Sequence, residues 1–443
     1  MQQQFIHASL LDGRKGMKVQ KNMSVLVRDG RILSIKENGK AIDGVKTVDL
    51  KDRYLMPGLI NLHCHLAGNG KPQTIDGKTA ELMQKQLSSP VGRFIMKTMC
   101  AKSAKDELLS GTTTIRTVGG LGSIDTALRD EIASGKRKGA RIYAANTAIS
   151  VPKGHMAGTL AYIAKSPAEV KKYAEQIARE KTDLMKLMVT GGTLDIEKVG
   201  DEGKVLMTPE EIRAATEVAD QYRIPTAAHV QSGEGAKTAL KCGVNTIEHG
   251  GSFDDETIQY FISQNAALIG TFTTVASMAC LPREISGLSK LYQDSCRSYL
   301  RDIILGFQKA ISAGVKIGMG LDNGSPFITQ TCMWRELYFF CRYLQMEPAE
   351  ALHIATLGNA EILHMEKEIG SIEKGKRADF LVTDENPLQD FRTMGKPYMV
   401  VKDGKIFHRP MKYKSDKYGK ILDQVVRYDA EYLSIVNREE SGK

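Results

Sequence analysis

The sequence predicts an α/β protein whose main unit is a (β/α)8 barrel, also called a TIM barrel, and three observations carry that prediction. Eight short β-rich segments alternate with helical patterns between residues 57 and 365, as they do in a parallel barrel. Residue types that bind metals stand at the carboxyl ends of several segments, where such barrels build their sites. The two ends of the chain repeat one pattern, which predicts a small β-sandwich domain built from both termini.

The eight candidate strands are separated by recognisable helix starts. Thr208 and Glu211 form a capping-box pattern around Pro209, and Ser166 precedes Pro167 in the same way. The whole unit has a length that is usual for this barrel. The predicted strands cover residues 59–63, 113–118, 141–145, 184–189, 226–229, 246–249, 267–272 and 316–321.

The small domain is predicted from two matching hairpin signals. Residues 24–35 are β-rich on both sides of Asp29-Gly30, and residues 399–407 repeat this layout around Asp403-Gly404. Asp-Gly between apolar alternations is a strong hairpin signal because a type I′ turn needs positive φ at both central positions. We therefore expect a small β domain at 1–56 plus 366–410, a barrel at 57–365 and a C-terminal helical tail at 411–443.

Composition excludes several classes of protein. The net charge of +9 comes from 61 basic and 52 acidic residues that are mixed along the chain, and no nucleic-acid motif accompanies them. The polar start lacks the apolar stretch of a secretory signal, and no run is long enough for a membrane helix. The seven cysteines include no CxxC pair and indicate reduced thiols. We expect a cytoplasmic protein without nucleic-acid or membrane partners.

Three connections are longer than the barrel requires. They cover residues 66–80, 191–207 and 273–291, and each follows the carboxyl end of a predicted strand. Long loops at that face usually shape a substrate pocket or form a lid. We expect these loops to surround the site.

Four histidines have the spacing of metal ligands. His63 and His65 are two residues apart on a strand, so alternation places both rings on one face. His229 and His249 are twenty residues apart, which is close to one βα repeat, and therefore lie on neighbouring strands. Each histidine alone is also typical of a satisfied core residue. Together they predict a site for a divalent metal.

Three further residues complete the candidate site. Lys186 stands in an otherwise apolar strand, where burial depresses the pKa of an amine and leaves part of it free to react with carbon dioxide. The resulting carbamate is anionic and can bridge two metals; the alternative is pairing with a carboxylate. Asp322 closes the eighth strand and can bind an ion and exchange a proton, or cap the next helix. His155 follows the third strand in a Gly-containing loop and is a candidate substrate contact.

Several motifs resemble the amidohydrolase superfamily over nearly the whole chain. They are MPGLINLHCH at 56–65, TIEHG at 246–250, ATLGNA at 355–360 and GSIEKGKRADF at 370–380. A lysine on the fourth strand resembles the binuclear subtype. MVTGG at 188–192 and VPKGH at 151–155 are similar to the branch of Xaa-Pro dipeptidases, Xaa-Arg or Xaa-Lys carboxypeptidases and N-acyl amino acid hydrolases.

The resemblance implies a cofactor set of two divalent ions, commonly Zn2+. It assigns His63 and His65 to the more buried ion and His229 and His249 to the more exposed one. Lys186, carrying a carbamate, would bridge the ions, while Asp322 would bind the buried ion and shuttle protons. The resemblance also implies that homo-oligomers are common.

One position departs from the pattern of the family. The prolidase-like members tend to have Tyr soon after the fifth-strand histidine, where it contacts a substrate carboxylate. This chain has Gln231 there, so Gln231 is a candidate substrate contact with a different preference.

The expected function is hydrolysis of an amide C–N bond in a dipeptide or N-acyl amino acid by a metal-activated hydroxide. The first alternative is a cyclic amidase or imidazolonepropionase-like enzyme that opens a ring. Deaminase-type relatives usually use one metal and lack the bridging lysine. The second alternative is a non-enzymatic scaffold, but such proteins typically lose metal ligands, and here each expected position is filled.

Overall fold

The computed structural model describes residues 2–71, 77–193, 195–408 and 418–440. Its strands, numbered in chain order, are β1 (Gln2–Leu10), β2 (Gln20–Arg28), β3 (Arg31–Glu37), β4 (Lys46–Asp49), β5 (Tyr54–Pro57), β6 (Leu59–Cys64), β7 (Thr112–Thr117), β8 (Arg141–Tyr143), β9 (Ala148–Ser150), β10 (Ala161–Ile163), β11 (Met185–Met188), β12 (Thr226–Val230), β13 (Thr246–His249), β14 (Ala267–Gly270), β15 (Lys316–Met319), β16 (Phe380–Thr383), β17 (Met399–Lys402) and β18 (Lys405–His408).

The helices cover the sheets and are numbered in the same way. They are α1 (Gly77–Ser88), α2 (Pro90–Leu109), α3 (Ile124–Ala133), α4 (Pro167–Arg179), α5 (Pro209–Tyr222), α6 (Gly233–Lys241), α7 (Asp255–Ser263), α8 (Phe272–Cys280), α9 (Arg283–Ser286), α10 (Lys290–Ser312), α11 (Met333–Leu344), α12 (Pro348–His353), α13 (Asn359–Ile362) and α14 (Gly419–Glu440). None of these helices is long and apolar enough to pass through a bilayer.

The eight predicted barrel strands are all present, as β6, β7, β8 and β11 to β15. Every residue of β6, β7, β11, β12, β13 and β14 is buried. Parallel strands have this pattern because helices cover their outer face and side chains fill the interior. The predicted capping box at the start of α5 is confirmed, with Thr208 and Glu211 each accepting from the other's backbone N–H.

The expectation of a continuously paired barrel is wrong in one respect. The strands form two parallel sheets, β6-β7-β8 and β10-β9-β11-β12-β13-β14-β15. Isolated backbone hydrogen bonds cross the two gaps: Asp183 N donates to Ala144 O at 2.8 Å, and Asp322 N donates to His63 O at 2.8 Å. One gap arises because β9 occupies the edge of β11 and β10 lies beside β9; we did not predict either strand. At the other gap, the chain turns at Asp322 with a φ of 55° and leaves the regular ladder.

The small domain combines strands from both ends of the chain. Its sheet has the order β18-β17-β16-β5-β1-β2-β3, with β4 beside β1. The two predicted hairpins are confirmed, because Asp29 and Gly30 have φ of 50° and 80°, and Asp403 and Gly404 have φ of 48° and 70°. The expected sandwich of two sheets is instead one hydrogen-bonded sheet. The reason is that β5 pairs with β1 on one side and with β16 on the other.

The prediction for segment 273–291 is wrong in its secondary structure, although residues of the segment lie at the site as expected. Residues of that segment form α8, which is buried along its whole length, and α9. The sequence FTTVASMAC is apolar all round, and such a helix belongs in a core rather than in a mobile lid. The loop at 66–80 lies partly outside the described residues, at 72–76, and the tail segment 409–417 also lies outside them.

The C-terminal helix packs on the barrel. It is α14, which lies within the helical tail predicted at 411–443. Its Leu422 and Val425 are buried in the main core, and its Asp429 accepts a hydrogen bond from the Tyr343 hydroxyl at 2.6 Å. This helix therefore packs against α8 and hydrogen-bonds to α11 on the outside of the barrel.

Asn61 joins the first and last barrel strands where the ladder is interrupted. Its Oδ1 accepts from His63 N at 3.1 Å and from Leu321 N at 3.0 Å, and the side chain is fully buried. A buried N–H that loses its acceptor destabilises a fold by about 1–3 kcal/mol. The side chain of Asn61 thus holds the backbone that carries His63 and Asp322.

We expect the Asn61→Ala variant to unfold more readily, with a loss of about 2 kcal/mol or more in the free energy of unfolding. Urea unfolding followed by circular dichroism measures the loss. Thr98→Ala is the control, because this hydroxyl is exposed and bonds only within its own helix; its effect should stay within about 0.5 kcal/mol. Equal stability of the two variants would contradict the role of Asn61.

Candidate metal centre

The side chains that we predicted as site residues from the sequence line one cavity at the carboxyl ends of the barrel strands. The cavity has an empty volume of about 560 Å3. The nominated residues on its wall are His63, His65, His155, Lys186, His229, Gln231, His249 and Asp322. The remaining lining residues are Met156, Met188, Thr193, Thr274, Val275, Met278 and Ser325.

The imidazole rings of four histidines lie against one another. The ring centroids of His63 and His249 are 4.6 Å apart, those of His229 and His249 are 4.7 Å apart, and those of His63 and His65 are 5.3 Å apart. Burial lowers the pKa of His63 and His229 well below the ordinary value and lowers that of His249 to about 4. These three rings are therefore neutral at pH 7, which is the form that binds metals.

Each ring has one nitrogen occupied by a protein partner. The Nδ1 of His63 lies 2.8 Å from Glu248 Oε2, the Nδ1 of His65 donates to Gly119 O at 2.9 Å, and the Nδ1 of His249 lies 2.7 Å from Thr271 Oγ1. His229 is reversed, because its Nε2 donates to Gly191 O at 3.1 Å. The second nitrogen of each ring is not taken by these partners, as in histidine metal sites, and in His63 and His65 it lies near Asp322.

Asp322 is the carboxylate of the cluster. Its Oδ1 lies 3.2 Å from His65 Nε2 and 3.5 Å from His63 Nε2. Burial alone raises the pKa of Asp322, but the hydrogen bond with His65 and the neighbouring imidazoles outweigh burial and hold the pKa below its usual value. One ligand atom each from His63, His249 and Asp322 lies within 4.8 Å of the others, an arrangement that can hold a metal ion.

Backbone geometry at two positions turns these side chains into the cavity. His249 has a φ of 71° and Asp322 a φ of 55°, both in the left-handed region. Non-glycine residues adopt that region at a cost of about 1–3 kcal/mol, and such strained positions recur at active sites. At His249 the turn breaks strand alternation, so that Glu248 and His249 both face the interior.

Lys186 is buried in the cavity floor. The side chain is 1% exposed, and its Nζ has no hydrogen-bond partner among the described residues. Burial lowers the pKa of Lys186 to about 8, against the opposing charge of Glu248. A buried cation without a partner is unfavourable, so this amine has the setting that favours its neutral, reactive form.

The residues fit divalent metal ions. Four imidazoles and one carboxylate, each oriented by a partner, are a ligand set typical of zinc and related ions. The unpartnered Nζ of Lys186 among them is an orphaned polar atom that a metal-bridging carbamate would explain. The sequence-based alternative of a lysine paired with a carboxylate has no contact to support it among the described residues.

The candidate substrate contacts lie at the edge of this cluster. The ring of His155 stacks on His229 with centroids 4.1 Å apart, and its Nδ1 pairs with Asp195. Gln231 is buried, and its Oε1 has no hydrogen-bond partner among the described residues. Both side chains therefore have polar atoms available at the cavity.

Sequence reasoning missed the buried charges beneath the site. Arg116 and Glu248 form an ion pair inside the barrel, with 2.6 Å between Arg116 Nη2 and Glu248 Oε1. A charged residue within a fully buried strand was the available signal, because such a charge needs a partner. Val275 and Met278 belong to the segment 273–291 that was expected to surround the site, but their place on a helix was not predicted.

Comparison with known proteins identifies the class. Residues 54–407 match the Amidohydrolase family. The chain therefore belongs to the amidohydrolase family, and its family members hydrolyse C–N bonds.

Individual relatives and structures agree with that class. Ochratoxinase from Aspergillus niger is 24% identical over 387 residues, which cover 80% of this chain and 76% of the relative. Imidazolonepropionase from Thermoplasma volcanium is 22% identical, with 87% and 89% covered. A prolidase-like protein from Bifidobacterium longum superposes with a TM-score of 0.84 at 31% identity, covering 96% of this chain and 99% of that one. A Xaa-Pro dipeptidase with bound methionine gives 0.80 at 28% identity, covering 92% and 100%.

We expect the metal-free protein to lose stability as the pH falls from about 6.5 to about 4. The unfolded histidine takes up a proton near its ordinary pKa, whereas burial keeps folded His249 neutral down to about 4. The unfolded state thus binds more protons in this window, and His249 alone accounts for about 3 kcal/mol. Urea unfolding at several pH values measures the slope. A His249→Leu variant with the same slope as the unmodified protein would contradict this account.

Proposed function

We propose that this amidohydrolase cleaves a linear amide bond of a dipeptide or N-acyl amino acid. The observation that carries the proposal is the convergence of four imidazoles, Asp322 and an unpartnered Lys186 amine on one cavity. His155 and Gln231 at its edge provide polar atoms for a substrate. The family membership supports the reaction class, and the prolidase-like and Xaa-Pro dipeptidase neighbours support the substrate class.

In this proposal the cavity holds two divalent ions, with zinc as the first candidate. His63, His65 and Asp322 would bind one ion, His229 and His249 the other, and a carbamate on Lys186 would bridge them. Bound there, the ions would polarise the scissile carbonyl and lower the pKa of water to about 7. Each ring has a protein partner on one nitrogen, so the other nitrogen would be the one that binds an ion.

Asp322 moves the proton in this mechanism. As a carboxylate it accepts the proton of the attacking water while the new C–O bond forms. The C–N bond then breaks, and Asp322 gives the same proton to the leaving nitrogen. Its contacts with His63 and His65 hold the carboxylate in place for both steps. Because its pKa lies below the usual value, Asp322 is a carboxylate at neutral pH and has an oxygen that can accept a proton.

The rest of the cavity suits an apolar substituent of the substrate. Val275 and Met278 from α8, together with Met156, supply apolar lining. Of the described lining residues, Lys186 is the sole cation, and it belongs to the ligand cluster. Ligand pockets with apolar walls and a few polar groups orient substrates through those groups, here His155 and Gln231.

Ring opening is the second candidate. The imidazolonepropionase relatives favour it, because the alignment spans most of both chains. The same proton transfer through Asp322 would serve a cyclic amide. A scaffold without activity is disfavoured, since the cluster keeps a full set of ligand atoms facing a cavity.

We expect Asp322→Asn to lower kcat at least about 100-fold, because the amide cannot accept the proton. Metal content, measured by elemental analysis, should stay close to that of the unmodified protein because an oxygen ligand remains. Asp255→Asn is the matched control on an almost fully exposed side chain and should leave kcat unchanged. An Asp322→Asn variant with full activity would refute the proton transfer.

A substrate panel separates the candidates. With zinc and bicarbonate supplied, we expect turnover of dipeptides or N-acyl amino acids that carry an apolar substituent, and none of lactams or imidazolones. Met278→Ala should lower kcat/KM for the bulkier substrates by about 10-fold through lost apolar contact. Met99→Ala, on a half-exposed side chain of α2, is the control. Turnover of rings alone would establish the second candidate instead.

A further inference from the structure

A buried ion pair lies directly beneath the candidate metal centre. Arg116 on β7 and Glu248 on β13 are 4% and 0% exposed. Arg116 Nη2 lies 2.6 Å from Glu248 Oε1, and Arg116 Nε donates to Leu62 O at 2.6 Å. Thr246 Oγ1 donates to the same carboxylate at 2.8 Å. The pair therefore crosses the barrel interior and ties β13 to β6 and β7.

The second oxygen of Glu248 reaches a metal-ligand candidate. Its Oε2 lies 2.8 Å from His63 Nδ1. The guanidinium of Arg116 keeps its charge in proteins and stabilises Glu248 as a carboxylate, which can only accept. The hydrogen of His63 is thus held on Nδ1, and the lone pair of Nε2 faces the cavity.

The other three rings have weaker partners. In the described part of the chain, His65 and His229 donate to backbone carbonyls, and His249 meets the Thr271 hydroxyl. A carboxylate partner raises the basicity of a ligating imidazole more than a neutral acceptor does, and losing such a partner typically lowers metal affinity about 10–100-fold. The four rings are therefore unequal donors, and His63 is the strongest.

We infer that Glu248, held by Arg116, is a positioning residue that makes the His63 side the tighter of the two metal sites. Glu248 does not touch the substrate or the ions; it acts through the orientation and basicity of His63. Arg116 offsets the buried charge, without which Glu248 would be an isolated anion in the barrel. This inference rests on the proposed metal binding.

The test follows zinc release from the zinc-loaded protein to a chromogenic chelator. The unmodified protein should release two ions in a fast and a slow phase. Glu248→Gln keeps the shape but removes the charge, and we expect its slow phase to accelerate about 10–100-fold with the fast phase unchanged. Thr271→Val is the matched control: it removes the hydroxyl partner of His249 and should accelerate the fast phase only. Raising the free zinc concentration should restore kcat of Glu248→Gln.

Other results would overturn the inference. It fails if the slow phase is unchanged in Glu248→Gln, or if both phases accelerate equally and added zinc does not restore kcat. Where Glu248→Gln does not fold, Glu248→Asp replaces it, because the shorter carboxylate keeps the charge and should also accelerate the slow phase. An unmodified protein that binds no zinc at all would instead refute the metal proposal itself.

Discussion

The structure depends on charged and ligand side chains that are buried in the interior of a barrel. Lys186 is the extreme case, because its ammonium has no partner among the described residues and burial lowers its pKa to about 8. Burial keeps the imidazoles of His63, His229 and His249 neutral in the same way. Such a cluster is unfavourable on its own and becomes favourable once divalent cations and an anionic bridge balance it. The proposal of two bound metal ions follows from this burial of polar groups without compensating charge.

Strained backbone, buried hydrogen bonds and a buried ion pair hold that cluster in place. His249 and Asp322 adopt left-handed backbone to face the cavity, and Asn61 binds the two backbone segments that carry His63 and Asp322. Below them, Arg116 and Glu248 set the orientation of His63. The left-handed backbone and the buried ion pair each reduce the stability of the barrel by themselves, so their joint presence at one end of the strands indicates a functional site.

The sequence was informative where a residue's role follows from strand period and chain spacing. The eight strands, both hairpins and the cavity position of His63, His65, Lys186, His229 and Asp322 follow from such patterns. The two gaps in the ladder could not be predicted, since they depend on the positive φ of Asp322 and on the short strands β9 and β10. The helix α8 was missed because an apolar run does not reveal its secondary structure by periodicity. The Arg116–Glu248 pair joins residues 132 positions apart, and a single sequence does not show such pairing.

Anomalous diffraction at the zinc edge, from crystals grown with zinc and bicarbonate, tests the central claim most directly. The account predicts two peaks in the cavity, one contacted by His63, His65 and Asp322 and the other by His229 and His249. Additional density on Lys186 should lie between the two peaks. A cavity without a peak, or an unmodified Lys186 that leaves two peaks unbridged, would contradict the account.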